Sequence, residues 1–144
     1  MVNTAQLLQK YRSIAVVGLS PKAARTSYAV AQYMQEQGYR IIPVNPLAAG
    51  KSILGELCYA TLQEAADAVA AKGGEIDIVN VFRRSEDIPP VLEQALAIKD
   101  QVKLKVFWLQ QGISHAASEQ AASTAGLIVV ADACIKTEHA SAHL

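Results

Sequence analysis

Five short apolar runs, separated by stretches with helical spacing, constrain the fold of this chain more than any other feature. The runs are residues 13–17, 39–44, 76–82, 104–109 and 127–131. Segments such as Ile-Val-Asn-Val-Phe and Leu-Ile-Val-Val-Ala are apolar on both faces, which is typical of strands covered by helices on both sides. Alternating strands and helices favour a parallel sheet. We therefore predict an α/β, Rossmann-like doubly wound fold: a mainly parallel five-stranded sheet between two helical layers, in three-layer αβα order.

The stretches between the runs predict the helices. An opening helix is predicted around Leu7, and the helix after the first strand is predicted to use Thr26 or Ser27 as its N-cap. A capping box at Thr61 and Glu64 predicts a helix over residues 62–71. Two more helices are predicted at residues 88–98 and 114–125.

Two regions outside this alternation are predicted to be irregular. Residues 47–56 are predicted to be a looser segment, followed by a brief strand at 57–59. His139 and His143 are one helical turn apart, as in a metal pair, but no further ligand accompanies them. We therefore predict a solvated tail and no metal site.

Length and charge limit the function classes. A chain of 144 residues with 51% hydrophobic content suits a single domain over residues 1–144. Lys+Arg and Asp+Glu are equal at 13 each, which gives no reason to propose nucleic acid or an acidic membrane as a partner. Because no apolar stretch approaches the roughly 20 residues that span a bilayer, we expect a soluble cytoplasmic protein. Cys58 and Cys134 lack metal-ligand spacing and are expected to be reduced thiols.

The loop after the first strand is the strongest candidate for a binding site. It begins at Gly18, contains Lys22 and Arg25, and leads directly into a helix. Glycine lets the backbone approach an anion closely, and the first N–H groups of a helix have no intrahelical partner. The loop is therefore predicted to bind phosphate.

A dinucleotide fingerprint does not fit this loop. Ser20 stands at the second glycine position, and Asn45 stands where NAD sites place an acid for the ribose hydroxyls. Basic residues follow the strand ends instead, and guanidinium groups suit phosphate oxygens. They are Lys22, Arg25, Arg83 and Arg84, with Lys51 as a further candidate. The ligand is predicted to be richer in phosphate than NAD.

Five ordered motifs carry a resemblance to a known family. They are Val17-Gly18-Leu19-Ser20-Pro21-Lys22, Val44-Asn45-Pro46, Val81-Phe82-Arg83-Arg84-Ser85-Glu86, Trp108-Leu109-Gln110-Gln111-Gly112 and Asp132-Ala133-Cys134-Ile135-Lys136. Together they resemble the small stand-alone CoA-binding proteins, whose fold is similar to the N-terminal CoA-binding domain of the succinyl-CoA synthetase alpha subunit. The resemblance covers almost the whole chain. The sequence departs from it at Gln111, where relatives often carry an aliphatic residue.

The resemblance implies coenzyme A (CoA) as the cofactor and assigns its contacts. The phosphates are expected at Gly18, Ser20, Lys22, Arg25 and Ser27 of the phosphate-binding loop, with Leu19 and Thr26 as further cofactor-binding residues. The adenosine is expected beside Asn45, Pro46, Phe82 and Arg83, with Arg84 as an additional binding residue. The pantetheine arm is expected along Trp108, Gln110 and Gly112. Cys134 is a further candidate, because its position after a strand end would let its thiol meet the CoA sulfur.

Simpler structural roles remain open for several of these residues. Arg83 and Arg84 can pair with Glu86 or Asp87, and Trp108 most simply fills the core below the strand ends, in preference to a role in the pocket. Cys134 is expected to be structural in preference to forming a mixed disulfide with CoA, because a nearby carboxylate disfavours its thiolate.

Three functions remain open. The first is a non-catalytic binding or regulatory protein for CoA or acyl-CoA. Acyl-CoA ligase activity by this chain alone is not expected, because the ligase relatives carry their phosphorylated histidine in a separate domain. The alternative is an NAD(P)-dependent oxidoreductase with a degenerate fingerprint, for which only Asp132 and Cys134 offer strand-end chemistry. The third is a subunit whose binding to a partner protein, or to a second copy of the chain, depends on CoA.

Overall fold

The computed structural model describes residues 2–144 and contains a five-stranded parallel sheet with helices on both faces. The elements in chain order are α1 (Thr4–Lys10), β1 (Ser13–Val17), α2 (Thr26–Glu36), β2 (Arg40–Val44), β3 (Ser52–Ile53), β4 (Glu56–Leu57), α3 (Leu62–Ala71), β5 (Ile78–Val81), α4 (Ile88–Val102), β6 (Val106–Leu109), α5 (Ala116–Thr124), β7 (Ile128–Val130) and α6 (Ile135–Ala142). Short 3₁₀ turns occupy Pro46–Ala48 and Ser85–Asp87. The predicted Rossmann-like class is confirmed.

The order of the strands indicates where along their carboxyl ends a ligand would bind. The order is β2-β1-β5-β6-β7, and every neighbouring pair is parallel. From β1 the chain goes outward to β2 on one side and then to β5 on the other, so the order reverses between β1 and β5. Val17 and Val81 end these two strands in register. Ligands of such sheets bind outside the carboxyl ends of the strands at this reversal.

Alternating side chains of the strands form two apolar layers. In β1, Ile14 and Val16 pack on the side of α1, α2 and α6, while Ala15 and Val17 pack on the side of α3 and α4. Helices therefore cover both faces, which explains why the central strands are apolar throughout.

The N-cap of α3 forms at Thr61 as predicted, although Glu64 bonds the residue before the cap rather than the cap itself. The Thr61 hydroxyl oxygen accepts the Glu64 N–H at 3.1 Å, and the Glu64 carboxylate accepts the Ala60 N–H at 3.0 Å. The helix covers Leu62–Ala71, the range predicted from the sequence.

The connection between β2 and α3 differs from the prediction. Instead of a loose segment and a strand at 57–59, β3 and β4 form an antiparallel hairpin, and Tyr59 makes only an isolated bridge with Val44. The two-residue turn has positive φ at Leu54 (55°) and Gly55 (79°). Such turns favour asparagine or glycine at the first position, so Leu54 concealed the hairpin.

The predicted solvated tail is wrong. Residues Ile135–Ala142 form α6, and His139 is buried against Tyr33 and Tyr39. The Tyr33 hydroxyl and His139 Nδ1 are 2.9 Å apart. Burial, together with the positive charge of Arg12, lowers the pKa of His139. The neutral imidazole therefore holds α6 against α2 and against Tyr39, the residue that precedes β2.

Between residues 2 and 144, none of the helices is both long and apolar enough to cross a bilayer.

Candidate functional site

The loop that follows β1, residues 18–25, requires glycine at its first position. Gly18 has φ +87° and donates its N–H to the Val44 carbonyl at 2.8 Å. A Cβ at this position would overlap the Phe82 carbonyl oxygen and lie 3.2 Å from Arg83 Cδ. Gly18 therefore lets the ends of β1, β2 and β5 approach one another at the reversal point.

The start of α2 is not capped by a side chain. Arg25 is the N-cap and makes no side-chain capping hydrogen bond, so the predicted cap at Thr26 or Ser27 is wrong. The Ser27 hydroxyl oxygen instead accepts the Ser20 N–H at 3.0 Å, and the Ser20 hydroxyl oxygen accepts the Lys22 N–H at 3.1 Å. These bonds shape the loop and leave the first turn of α2, which has no acidic residue, available to an anion.

Asn45, at the end of β2, holds the loop in place. Its Nδ2 donates to the Leu19 carbonyl at 3.0 Å, and its Oδ1 accepts the Leu47 N–H at 3.0 Å. The side chain that replaces the ribose-binding acid of NAD sites thus joins two loops of the protein.

Two adjoining cavities lie along the strand ends. The loop cavity has a volume of about 590 Å³ and is lined by Gly18, Ser20, Pro21, Lys22, Arg25, Thr26, Ser27, Asn45, Leu47, Ala48, Lys51 and Phe82. The cysteine cavity has a volume of about 650 Å³ and is lined by Thr26, Phe82, Arg83, Arg84, Ser85, Gln110, Gln111, Gly112, Ile113 and Cys134. Because Thr26 and Phe82 line both, the cavities form one elongated cleft.

All but three of the predicted site residues line this cleft. Leu19 and Trp108 are fully buried, and Pro46 lies outside both cavities. The Trp108 indole N–H donates to the Ala133 carbonyl at 2.8 Å, which satisfies it within the core. Trp108 therefore packs below the cleft, away from its surface.

Arg83 and Asn45 line different cavities. Arg83 lies in the cysteine cavity and Asn45 in the loop cavity, although the resemblance places both beside the adenosine.

The lining of the cleft is positively charged although the chain is neutral. It includes Lys22, Arg25, Lys51, Arg83 and Arg84, whereas no Asp or Glu among residues 2–144 lines either cavity. Arg83 and Arg84 form ion pairs with Asp87 at 3.7 and 3.2 Å. Within residues 2–144, the other three cations form no ion pair. The loop cavity therefore concentrates unpaired positive charge beside the start of α2.

The thiol of Cys134 is in an environment that favours its ionised form. Burial raises the pKa of Cys134, but the surrounding polar groups of Thr137, Lys136 and Gln110 outweigh burial and lower it. The expected effect of a nearby carboxylate is absent: Asp132 accepts the Gly112 N–H at 2.6 Å and does not raise this pKa. By contrast, burial raises the pKa of Cys58 despite a backbone hydrogen bond at Asn45.

We predict that the two cysteines differ in reactivity and in pH response. Iodoacetamide should modify Cys134 in the folded protein, with a rate that rises with pH through a midpoint below that of a free thiol, because only the thiolate reacts. Cys58, which is 1% exposed, should stay unmodified until the protein unfolds. Peptide mapping by mass spectrometry checks both. Equal modification of the two thiols under native conditions would contradict this prediction.

Sequence reasoning missed several residues that line the cleft. Pro21, Leu47, Ala48, Ser85 and Ile113 were not predicted as site residues, and Lys51 was only a further candidate. Leu47 is 91% exposed, an unusual position for leucine. The position of Leu47 and Ala48 shortly after the second strand could have indicated that they line the cleft, but this region was predicted to be a loose segment.

Comparisons with known proteins show the family of this chain. A family model described as a CoA binding domain matches residues 12–140. YneT, an uncharacterized protein of Bacillus subtilis (strain 168), is 43% identical over 135 residues, covering 94% of this chain and 90% of YneT. The solved structure of cell-free ID.343 from Thermus thermophilus is 33% identical, with a TM-score of 0.85 over 98% of this chain and 99% of that one.

A more distant solved structure shows the fold alone. RSP, in complex with beta-NADH, is 16% identical and has a TM-score of 0.58, over 86% of this chain and 54% of the RSP chain. The family model, by contrast, matches residues 12–140, which is most of the chain, and this match identifies the family of the protein. The chain belongs to the CoA-binding domain family.

Proposed function

We propose that this protein binds CoA, or an acyl-CoA, in the cleft formed by the loop and cysteine cavities, and that it acts by binding rather than by catalysis. The observation that carries the proposal is the arrangement of the cleft. One end presents unpaired cations and an uncapped helix start, and the other presents a thiol and a buried amide. CoA has the corresponding order: phosphates at one end and a thiol at the other.

The diphosphate fits the first turn of α2. Lys22 and Arg25 flank that turn, and both lack ion-pair partners among residues 2–144. The helix dipole and the N–H groups of the first turn add favourable interactions with an anion. Charge-assisted hydrogen bonds of this kind each contribute about 1.5–3 kcal/mol.

The adenosine end fits the wall of the loop cavity that follows β2. In Rossmann-like sites the ribose lies near the end of the second strand, and a cation there accommodates a ribose phosphate. Lys51 is the cation at this wall. Its backbone is fixed because its carbonyl accepts the Cys58 N–H at 2.8 Å, while the Gly50 N–H donates to the Cys58 carbonyl at 2.9 Å. We assign Lys51 to the 3′-phosphate of CoA.

Nicotinamide cofactors fit this cleft less well. The two polar atoms of the Asn45 side chain are occupied by Leu19 and Leu47, and neither cavity is lined by an acid that could hold ribose hydroxyls. In the described part of the chain, neither a carboxylate nor a histidine lines the cleft to act as a general acid or base. Both points favour a binding protein over an oxidoreductase.

Calorimetric titration with CoA, dephospho-CoA and NADH tests the proposal. We expect CoA to bind at least about tenfold more tightly than dephospho-CoA, since one charge-assisted hydrogen bond is lost, and NADH to bind more weakly than CoA. Lys51→Ala should remove the preference for CoA over dephospho-CoA, whereas Lys72→Ala, an exposed lysine outside the cleft, should retain it. Tighter binding of NADH than of CoA would overturn the proposal.

A further inference from the structure

The most exposed large apolar side chain in the described part of the chain lies in the wall of the cleft. Leu47 lines the loop cavity and is 91% exposed. The other exposed large apolar residues within residues 2–144 are about half-exposed and line neither cavity of the cleft; they are Val2, Leu57 and Leu144. A single exposed leucine is ordinary on a protein surface, but in a binding cleft it offers apolar area that a ligand can cover. Leu47 is therefore a candidate contact for an apolar part of the ligand.

The turn that carries Leu47 is fixed by hydrogen bonds on both sides. The Leu47 N–H donates to Asn45 Oδ1 at 3.0 Å, and the Ala48 N–H donates to the Asn45 carbonyl at 3.1 Å. The Ala48 carbonyl accepts the Lys51 N–H at 3.0 Å, and Ala48 itself is buried. The buried neighbour anchors the turn, so the backbone holds Leu47 at the cavity wall. Because this backbone is already ordered, a ligand that covers Leu47 orders little more than the side chain itself.

An apolar group and a cation are thus joined at one wall of the loop cavity. The hydrogen bond between Ala48 and Lys51 closes the backbone between Leu47 and Lys51, the residue that we assign to the 3′-phosphate. In CoA, the adenine and the 3′-phosphate are carried by the same ribose. A ligand with its 3′-phosphate at Lys51 therefore has its adenine at this wall as well.

Adenine is the part of CoA that suits an exposed leucine at this wall. Its ring faces are flat and apolar, whereas the phosphates need charged or polar partners. The pantetheine arm leads away from this wall, past Thr26 and Phe82 toward the cysteine cavity. Resting on the proposed function, we propose that Leu47 packs against the adenine ring and thereby makes the site select CoA over 4′-phosphopantetheine, which has the thiol arm and a phosphate but no base.

Titration calorimetry with CoA and its fragments tests this contact. We expect Leu47→Ala to weaken binding of CoA and of adenosine 3′,5′-bisphosphate by about five- to thirtyfold, because the side-chain carbons beyond Cβ no longer cover the base. Binding of 4′-phosphopantetheine should change by less than about twofold, so the preference for CoA decreases. Leu47→Met, which keeps an apolar side chain of similar volume, should stay within about threefold of wild type. Leu57→Ala removes an exposed leucine of β4 outside the cleft and should leave all three affinities unchanged.

Methyl NMR gives a readout that a merely structural role would not produce. In wild-type protein with isotope-labelled leucine methyl groups, saturated with CoA, we expect nuclear Overhauser effects between the Leu47 methyls and the adenine ring protons. The spectrum of Leu47→Met assigns the Leu47 signals, and the Leu57 methyls, which lie outside the cleft, serve as the control.

Each contrary result has a distinct meaning. If wild-type protein does not bind CoA, the proposed function fails. If it binds CoA but Leu47→Ala binds equally tightly, or if the Leu47 methyls contact only the pantetheine arm, this inference alone is wrong. An equal loss of affinity for all three ligands would show a distorted loop, without a specific contact to the base, and would overturn the inference as well.

Discussion

The double substitution Lys22→Ala and Arg25→Ala is expected to weaken CoA binding by at least about 100-fold while the fold remains intact. Each side chain is exposed and lacks an ion-pair partner within residues 2–144. Removing them therefore breaks no ion pair there, but it deletes two charge-assisted contacts to phosphate, each contributing about 1.5–3 kcal/mol. Titration calorimetry measures the loss, and thermal unfolding checks the fold.

A charge-matched control separates local contacts from net charge. Lys10→Ala with Lys72→Ala removes the same charge from exposed positions outside the cleft and should change the dissociation constant by less than about threefold. Wild-type binding should also weaken as salt increases, because partly exposed charges are screened. If the Lys22 and Arg25 variant binds CoA as tightly as wild type, the phosphates lie elsewhere.

Trp108→Ala is expected to destabilise the protein by about 3–5 kcal/mol. Trp108 is fully buried in β6, among the residues that pack against α1, α2 and α6, and truncation leaves a large cavity there. It also leaves the Ala133 carbonyl without the indole N–H. Urea unfolding followed by circular dichroism measures the change, since Trp108 is the single tryptophan and its fluorescence is lost.

Trp108→Phe distinguishes a core role from a ligand contact. It retains most of the packing and removes the hydrogen bond to Ala133, so we expect a loss of about 1–2 kcal/mol in stability and less than a threefold change in CoA affinity. A loss of affinity of tenfold or more, with stability unchanged, would show that Trp108 touches the ligand.

Sequence patterns predict the sheet because the residues of its central strands are mostly apolar, as burial on both faces requires. Residues Ile78–Val81 and Val106–Leu109 are buried throughout, and apolar runs on both faces follow directly from that position. The N-cap of α3 is also local, since Thr61 and Glu64 are three residues apart. Helices and strands that depend on residues close in sequence can thus be predicted from the sequence.

Features that depend on contacts between residues distant in sequence cannot be predicted in this way. His139 is buried because Tyr33 and Tyr39, far away in sequence, pack against it. The N-cap of α2 falls on Arg25, and the hydroxyl of Ser27 accepts from Ser20 across the loop instead of capping the helix. In the site, the loop cavity follows from motif positions and the burial of Trp108 from its place in an apolar strand, whereas the lining by Leu47 and Ala48 depends on how the segment after β2 folds.

A crystal structure of the complex with CoA would locate each part of the ligand. We expect the diphosphate at the first turn of α2 within hydrogen-bonding distance of Lys22 and Arg25, the 3′-phosphate at Lys51, and the sulfur in the cysteine cavity beside Cys134. A CoA molecule bound outside the strand-end cleft, or bound in it with the sulfur at Lys51 and the adenosine at Cys134, would contradict the proposed binding mode.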